Sequence, residues 1–238
     1  MTNIFEEKWR GKLSQAAKEK GDSSESSLAI EGNPYYQKYF WEYFPVLQNP
    51  QSMKVLDTGC GTGITSRALA SKGFEVYGVD YSPEIIEVAK QKAKEHSLAI
   101  NFRTADAYQL PFPDQIFDVV ICLGLFQTLT EPKKAFQEIL RVLKPNGRVF
   151  ITTLNSFSVG KILLRDEVIL YNPYRMKSMM EQLGFKNVHF KGVYLFTKAF
   201  DWFAGWIFFL KVYTIFNVLF PFCMFFSHSF YIEAKKSS

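Results

Sequence analysis

The sequence predicts an α/β protein built on a parallel sheet covered by helices on both faces, and three observations predict it. From Met53 onward, short β-branched or apolar runs alternate with helical stretches at a regular period. The stretch "VLDTGCGTG", residues 55–63, sets a glycine-rich turn between an apolar run and a helical one. The next apolar run, "VYGVD", ends on an acid, Asp80, at the carboxyl edge of the expected sheet.

The elements follow in order. Residues 1–33 are polar, include "KGDSSESS" and hold too few apolar side chains to pack, which predicts a flexible arm. Asn33 as N-cap and Pro34 at the first helical position open an aromatic-rich helix, "PYYQKYFWEYFPVL". Its Tyr36, Phe40, Tyr43 and Phe44 recur at helical steps, a pattern that suits core packing and a lid over a ligand equally. Strands are expected near 53–57, 74–79, 99–104, 116–122 and 147–154, and helices near 64–72, 83–96, 131–143 and 173–183. Ser82-Pro83 and Asn172-Pro173 are N-cap and first-turn pairs, Gly184 is a C-cap, and "KPNG" at 144–147 is a turn feeding a strand. After "FKNVHFKGVYLF" comes a long apolar run, "DWFAGWIFFLKVYTIFNVLFPFCMFF", Asp201 to Phe226. The closing "HSFYIEAKKSS" alternates like one more strand.

Composition narrows the function. A chain of 238 residues suits one main domain with additions. The net charge of +5 is spread along the chain, which argues against a nucleic-acid partner and leaves a mild attraction to anionic membrane surfaces. Cys60, Cys122 and Cys223 lie far apart with no His at ligand spacing, so neither a metal site nor a disulfide framework is expected. The charged N-terminus has no apolar core of a secretory signal, and with the unpaired cysteines this predicts a cytoplasmic location.

The glycine loop carries the sharpest chemistry. Gly59, Gly61 and Gly63 let the backbone turn tightly and admit a ligand close to it, and the following helix start offers unpaired N–H groups. A dinucleotide fingerprint needs its third glycine at the sixth position, where Ile64 stands, and no Gly-Lys-Ser/Thr follows to make a P-loop. Asp80 is placed to accept both hydroxyls of a ribose, and Asp106, just past the third strand, to accept from an exocyclic adenine amine. With Asp57 beside the loop, three acids sit badly with a polyphosphate and well with a cationic ligand.

The ordered series "VLDTGCGTG", "VYGVDYSPEIIEVAK", "ADAYQLPFPDQIFDVVICLGLFQTL" and "EILRVLKPNGRVFITT" resembles the class I S-adenosylmethionine-dependent methyltransferases, in the broad group that includes ubiquinone and menaquinone methyltransferases. The resemblance covers residues 53 to about 196 and the last strand. It implies a Rossmann-like, doubly wound seven-stranded sheet with an antiparallel last strand, preceded here by a hydrophobic helical insertion. The implied organisation is an arm over 1–33, a cofactor-binding domain over 34–196, the insertion over 197–226, and the last strand and tail over 227–238. The implied cofactor is S-adenosylmethionine. Gly59, Cys60, Gly61 and Gly63 would line its methionine part with Asp57 nearby, and Asp80 would hold the ribose with Tyr81 against the adenine. Asp106 and the backbone of Ala107 would read the adenine edge, and Leu123 would face the methionine amino group. Asp118 and Tyr108 read as local structural contacts.

Two features depart from the family. Many relatives carry a His after the fourth strand in a segment like "LEHV", and "LFQTL" puts Gln127 and Thr128 there. His96 and His189 read as structural and His228 sits beside the apolar run, so no catalytic residue is assigned and an easily ionised acceptor is expected. The second feature is the apolar run. Its 26 residues would make a helix of about 39 Å, enough for one crossing of a hydrocarbon core, yet the sixth and seventh strands must pair on one side of it. Two readings remain open: short helices dipping into one leaflet, or a cap that encloses an acceptor or meets a second subunit in a homodimer. Eleven of the 24 Phe lie between Phe196 and Phe230, with Trp202 and Trp206 among them, which favours peripheral attachment to a membrane and a lipid or otherwise apolar acceptor. A soluble apolar acceptor, and a non-catalytic cofactor-binding scaffold at the membrane, are the rival expectations.

Overall fold

The computed structural model describes residues 50–156, 169–193 and 229–237. The expected arm, the aromatic-rich helix, the apolar run and His228 lie outside these residues. The strands are β1 (Lys54–Thr58), β2 (Glu75–Asp80), β3 (Ile100–Thr104), β4 (Phe117–Leu123), β5 (Leu143–Leu154), β6 (Phe185–Val193) and β7 (Ser229–Lys236). They form one sheet in the order β3-β2-β1-β4-β5-β7-β6. β7 runs antiparallel to both of its neighbours, and the other pairs are parallel. The described helices are α1 (Ile64–Ala70), α2 (Pro83–Glu95), α3 (Pro132–Val142) and α4 (Pro173–Leu183).

Alternation along the strands divides the core between two faces. Leu56, Val120, Cys122, Ile151 and Ile232 pack with Phe136 and Ile139 of α3 and Met176 and Met180 of α4. Their strand neighbours Val55, Val119, Ile121, Phe150 and Tyr231 point the other way, toward Leu69 of α1. A third cluster, Cys60, Ile86, Ala89, Ala93 and Phe102, fixes α2 beneath the glycine loop.

Local signals end the helices where the sequence places them. Ser82 Oγ accepts from Ile85 N at 3.3 Å, Asn172 Oδ1 accepts from the amides of Tyr174 and Arg175, and Gly184 takes the left-handed conformation at φ 107°. "KPNG" behaves differently from a turn that precedes a strand. β5 already begins at Leu143, paired with Phe117, and the chain then loops out and rejoins β4 at Val119↔Arg148. Asn146 adopts φ 62° in this excursion, and Asp118 holds Lys144 Nζ at 2.8 Å from the facing strand. Leu143 is wholly buried, so its side chain keeps the strand start in place while the turn bulges from it.

The sheet order reverses between β1 and β4, which opens a crevice at the carboxyl ends of these strands. Ser229 pairs with both Leu154 and Val193, so the residues flanking the stretch 194–228 meet each other at this same edge.

Candidate functional site

Beyond Thr58 the chain turns through Gly59 to Gly63 into α1, and backbone hydrogen bonds tie this loop to the end of β2. The amides of Gly59 and Cys60 both donate to Val79 O, at 2.8 and 2.9 Å, and Gly63 N donates to Cys60 O at 2.9 Å. Gly63 has φ 79°, and a Cβ there would lie 2.7 Å from Phe102 Cζ, so no other residue fits without displacing that ring. Gly61 has φ 53° with nothing within 4 Å of the place a Cβ would take, which leaves the crest of the loop open to a ligand.

Asp80 closes β2 directly beside this crest. Its Oδ2 accepts from Gly61 N at 3.0 Å and its Oδ1 from Ser82 N at 3.1 Å. One amide on each oxygen fixes the plane of the carboxylate and leaves lone pairs for two further donors. Burial pushes its carboxyl above the usual range, and the Ser82 and Gly61 amides oppose that push. Tyr81, the next residue, is 38% exposed. β3 joins the arrangement through Ala105 N, which donates to Asp80 O at 2.9 Å and so sets Asp106 one residue further along the same edge. Asp106 Oδ1 accepts from Tyr108 N at 2.8 Å, and Ala107 follows, half-buried.

Asp57 stands apart from the other two acids. It is 2% exposed beneath the loop, and Ser66 Oγ of α1 donates to its Oδ2 at 2.6 Å. Burial raises its pKa to about 7, with the charge of Asp80 adding and the Ser66 hydrogen bond opposing. It thus has the pKa of a general base without the access of one, and it joins β1 to α1. Cys60 is likewise turned inward: its amide, carbonyl and side chain are all engaged within the loop and the α2 cluster, so it shapes the turn. Burial also pushes its thiol up, which keeps it protonated.

Leu123 ends β4, half-buried, on the other side of the crevice. Gly124 N donates to both the carbonyl and the hydroxyl of Thr152, at 3.1 and 3.0 Å, which fixes the exit from β4. The 3-10 turn Phe126–Thr128 follows. Thr128 Oγ1 donates to Leu125 O at 2.7 Å, a turn-capping contact, and Gln127 Oε1 is buried without a hydrogen bond. Neither group titrates near neutral pH. His96 is exposed at the end of α2 with Nδ1 2.8 Å from Lys92 O, and His189 lies exposed on the edge strand β6. Asp118 anchors the start of β1 through Lys54 N, and Tyr108 Oη accepts from Glu131 N, both structural contacts.

The structure brings Gly61, Asp80 and Asp106 into one backbone-tied strip and sets Leu123 across the crevice from it. Four contributors gave no local signal: Ser66, the Ser82 amide, Thr152 and Tyr171. Tyr171 Oη donates to Leu129 O at 2.6 Å, Ile169 N donates to Gln127 O at 2.8 Å, and Ser156 N donates to Tyr171 O at 2.9 Å. These bonds bring residues 169–171 against the turn that follows β4.

Comparison with known proteins fits this geometry. Residues 56–151, which hold every residue of the strip, match the family model described as a methyltransferase domain. A ubiquinone biosynthesis O-methyltransferase of Coxiella burnetii is 35% identical over 123 residues, 52% of this chain and 51% of that protein. One from Pseudomonas fluorescens is 38% identical over 109 residues, 45% of this chain and 47% of that protein. The chain spans about half the length of the curated relatives it matches. Among solved structures, magnesium protoporphyrin IX methyltransferase from Synechocystis, determined with bound S-adenosylhomocysteine, superposes with a TM-score of 0.64 at 19% identity, over 95% of this chain and 94% of that one. At that identity the likeness establishes the fold. The family match ends at residue 151, inside β5, while β6 and β7 complete the same seven-stranded sheet.

Proposed function

We propose that this protein is an S-adenosylmethionine-dependent methyltransferase acting on a lipid or lipid-linked acceptor at a membrane surface. The observation that carries the cofactor is the Asp80 carboxylate, fixed by the Gly61 and Ser82 amides at the open crest of the glycine loop. A carboxylate so held accepts two vicinal ribose hydroxyls, and Asp106 accepts an exocyclic amine one strand away. The two acids also favour a sulfonium cation over a phosphate.

The reaction asks little of the protein beyond alignment. The acceptor's electron pair bonds to the methyl carbon, the carbon–sulfur bond breaks, and its pair returns to sulfur, releasing S-adenosylhomocysteine. Proximity in a closed site is worth effective molarities of roughly 10⁵–10⁸ M. With Thr128 and Gln127 where relatives carry His, the acceptor gives up its proton readily by its own acidity, as a phenol or enol does.

The lipid character rests on two supports. The curated relatives quoted above carry names from ubiquinone biosynthesis. The apolar run lies between Val193 and Ser229, and those residues pair at the carboxyl edge, beside the crevice. An apolar acceptor entering by way of the run would meet a cofactor bound from the aqueous side. Among the described residues no helix is long and apolar enough to cross a membrane.

Incubating the protein with methyl-labelled S-adenosylmethionine and whole-cell extract, then partitioning the label, tests the proposal. It predicts label in the organic phase. Label confined to water-soluble product would remove the lipid acceptor and leave the run as a cap or subunit contact. No transfer to any fraction, with cofactor still bound, would leave a cofactor-binding scaffold.

A further inference from the structure

Between Asp106 and β4 the chain forms a loop over residues 107–116, and α3 grips it through an ion pair that the cofactor reading leaves unused. Arg141 directs every part of its guanidinium at this loop and at Glu138. Nη1 donates to Phe112 O at 2.7 Å and to Asp114 Oδ1 at 2.9 Å. Nη2 donates to Leu110 O at 2.9 Å and to Glu138 Oε2 at 2.7 Å, and Nε donates to Glu138 Oε1 at 2.8 Å. Glu138 Oε2 in turn accepts from Leu110 N at 2.7 Å, so one ion pair holds both backbone groups of Leu110.

The other attachments lie along the same loop. Tyr108 N donates to Asp106 Oδ1, and Tyr108 Oη accepts from Glu131 N at the start of α3. Leu110 and Phe112 are buried, and Phe112 packs edge-on against Tyr77 and Phe117 at 5.8 and 5.0 Å. Residues 106, 108, 110 and 112 are thus each tied down, the last two by Arg141 and Glu138. The hydrogen bond from Arg141 holds the Glu138 carboxyl below the usual range, so the pair stays charged through neutral pH.

A partly exposed ion pair by itself contributes little to stability. Its effect here is geometric, because it fixes the height and angle of the backbone that presents Asp106 and Ala107 beside Asp80. We infer that Arg141 and Glu138 are positioning residues for the adenine-reading edge, and that preference for adenine over hypoxanthine depends on their hold on Leu110 and Phe112. The inference rests on the cofactor reading proposed above. A displaced loop would present Asp106 to the exocyclic amine at poor geometry, and a hydrogen-bonding site discriminates strongly only when its groups are aligned.

The test measures binding of S-adenosylhomocysteine and S-inosylhomocysteine to the full chain by calorimetry, in wild type, Glu138→Gln and Arg141→Gln. Hypoxanthine carries an oxygen where adenine carries the amine, so the wild type should prefer the adenosyl ligand by at least about tenfold, the scale of one well-made hydrogen bond. Glu138→Gln leaves one acceptor where a carboxylate served Leu110 and Arg141, and it should cut the preference below about threefold while the melting temperature is kept. Glu138→Gln decides the matter where Arg141→Gln fails to fold. A preference retained in Glu138→Gln, with both ligands weakened alike or not at all, would overturn the inference. A wild type that binds both ligands equally would overturn it too, by removing Asp106 from the adenine edge. A wild type that binds neither would instead bring down the cofactor reading and this inference with it.

Discussion

The crevice has two walls, and they differ in kind. On the β1–β3 side, the glycine loop, Asp80 and Asp106 are linked mainly by short-range backbone hydrogen bonds, with the Asp80 carboxylate closing on the Gly61 amide. On the β4–β7 side, the wall is made by side chains reaching across long stretches of chain, Thr152 to Gly124 and Tyr171 to Leu129. The family model covers the first side completely and stops at residue 151 on the second. Such a division suits an enzyme whose cofactor is shared with many relatives and whose acceptor is its own.

The comparison breaks most visibly at Gly63. Gly63→Val sets a β-branched side chain at φ 79° with its Cβ 2.7 Å from Phe102, combining backbone strain with overpacking. A loss of roughly 2–5 kcal/mol in chemical denaturation is expected. Unchanged stability would mean that the loop moves freely and that its backbone ties do not set the site.

Asp57 sharpens the comparison through pH. Its pKa is about 7 in the folded chain and roughly 3.9 when unfolded, so between those values the folded state binds the extra proton. Its contribution is therefore full below pH 4, is lost as pH rises toward 7, and is flat above. Asp57→Asn should gain on the wild type by up to about 4 kcal/mol between pH 4 and 8, three pKa steps at about 1.36 each. Parallel stability curves for the two proteins would contradict the buried carboxyl.

The smallest expected effect lies on the other wall. Thr128→Val removes a hydroxyl that only caps a turn, at a cost of about 1 kcal/mol in stability and less than about threefold in turnover. A fall of roughly 10²–10⁴, the scale of a lost general base, would show that the 3-10 turn takes part in proton transfer after all.

What the sequence revealed follows the same division. The strands begin and end within one or two residues of expectation, apart from the start of β5, and Ser82, Asn172 and Gly184 cap where local chemistry says they must. The places of Asp80 and Asp106 along the sheet edge were legible, because Asp80 closes β2 and Asp106 lies two residues past the end of β3. Ser66, Thr152 and Tyr171 were not, since their partners lie 9, 28 and 42 residues away and nothing near them in sequence marks the contact. The turn at 144–147 was read correctly as chemistry and misread as a boundary, because its register depends on Leu143 packing in the core.

The account stands on Asp80, and calorimetry with S-adenosylhomocysteine tests it most directly. Losing two charge-assisted hydrogen bonds, at about 1.5–3 kcal/mol each, should weaken binding to Asp80→Ala by at least about a hundredfold. The half-buried side chain contributes little packing but accepts from the Gly61 and Ser82 amides, so a loss of about 1–3 kcal/mol in stability should accompany a fold that stays intact. Equal affinity in the two proteins would contradict the ribose assignment and the cofactor site built on it.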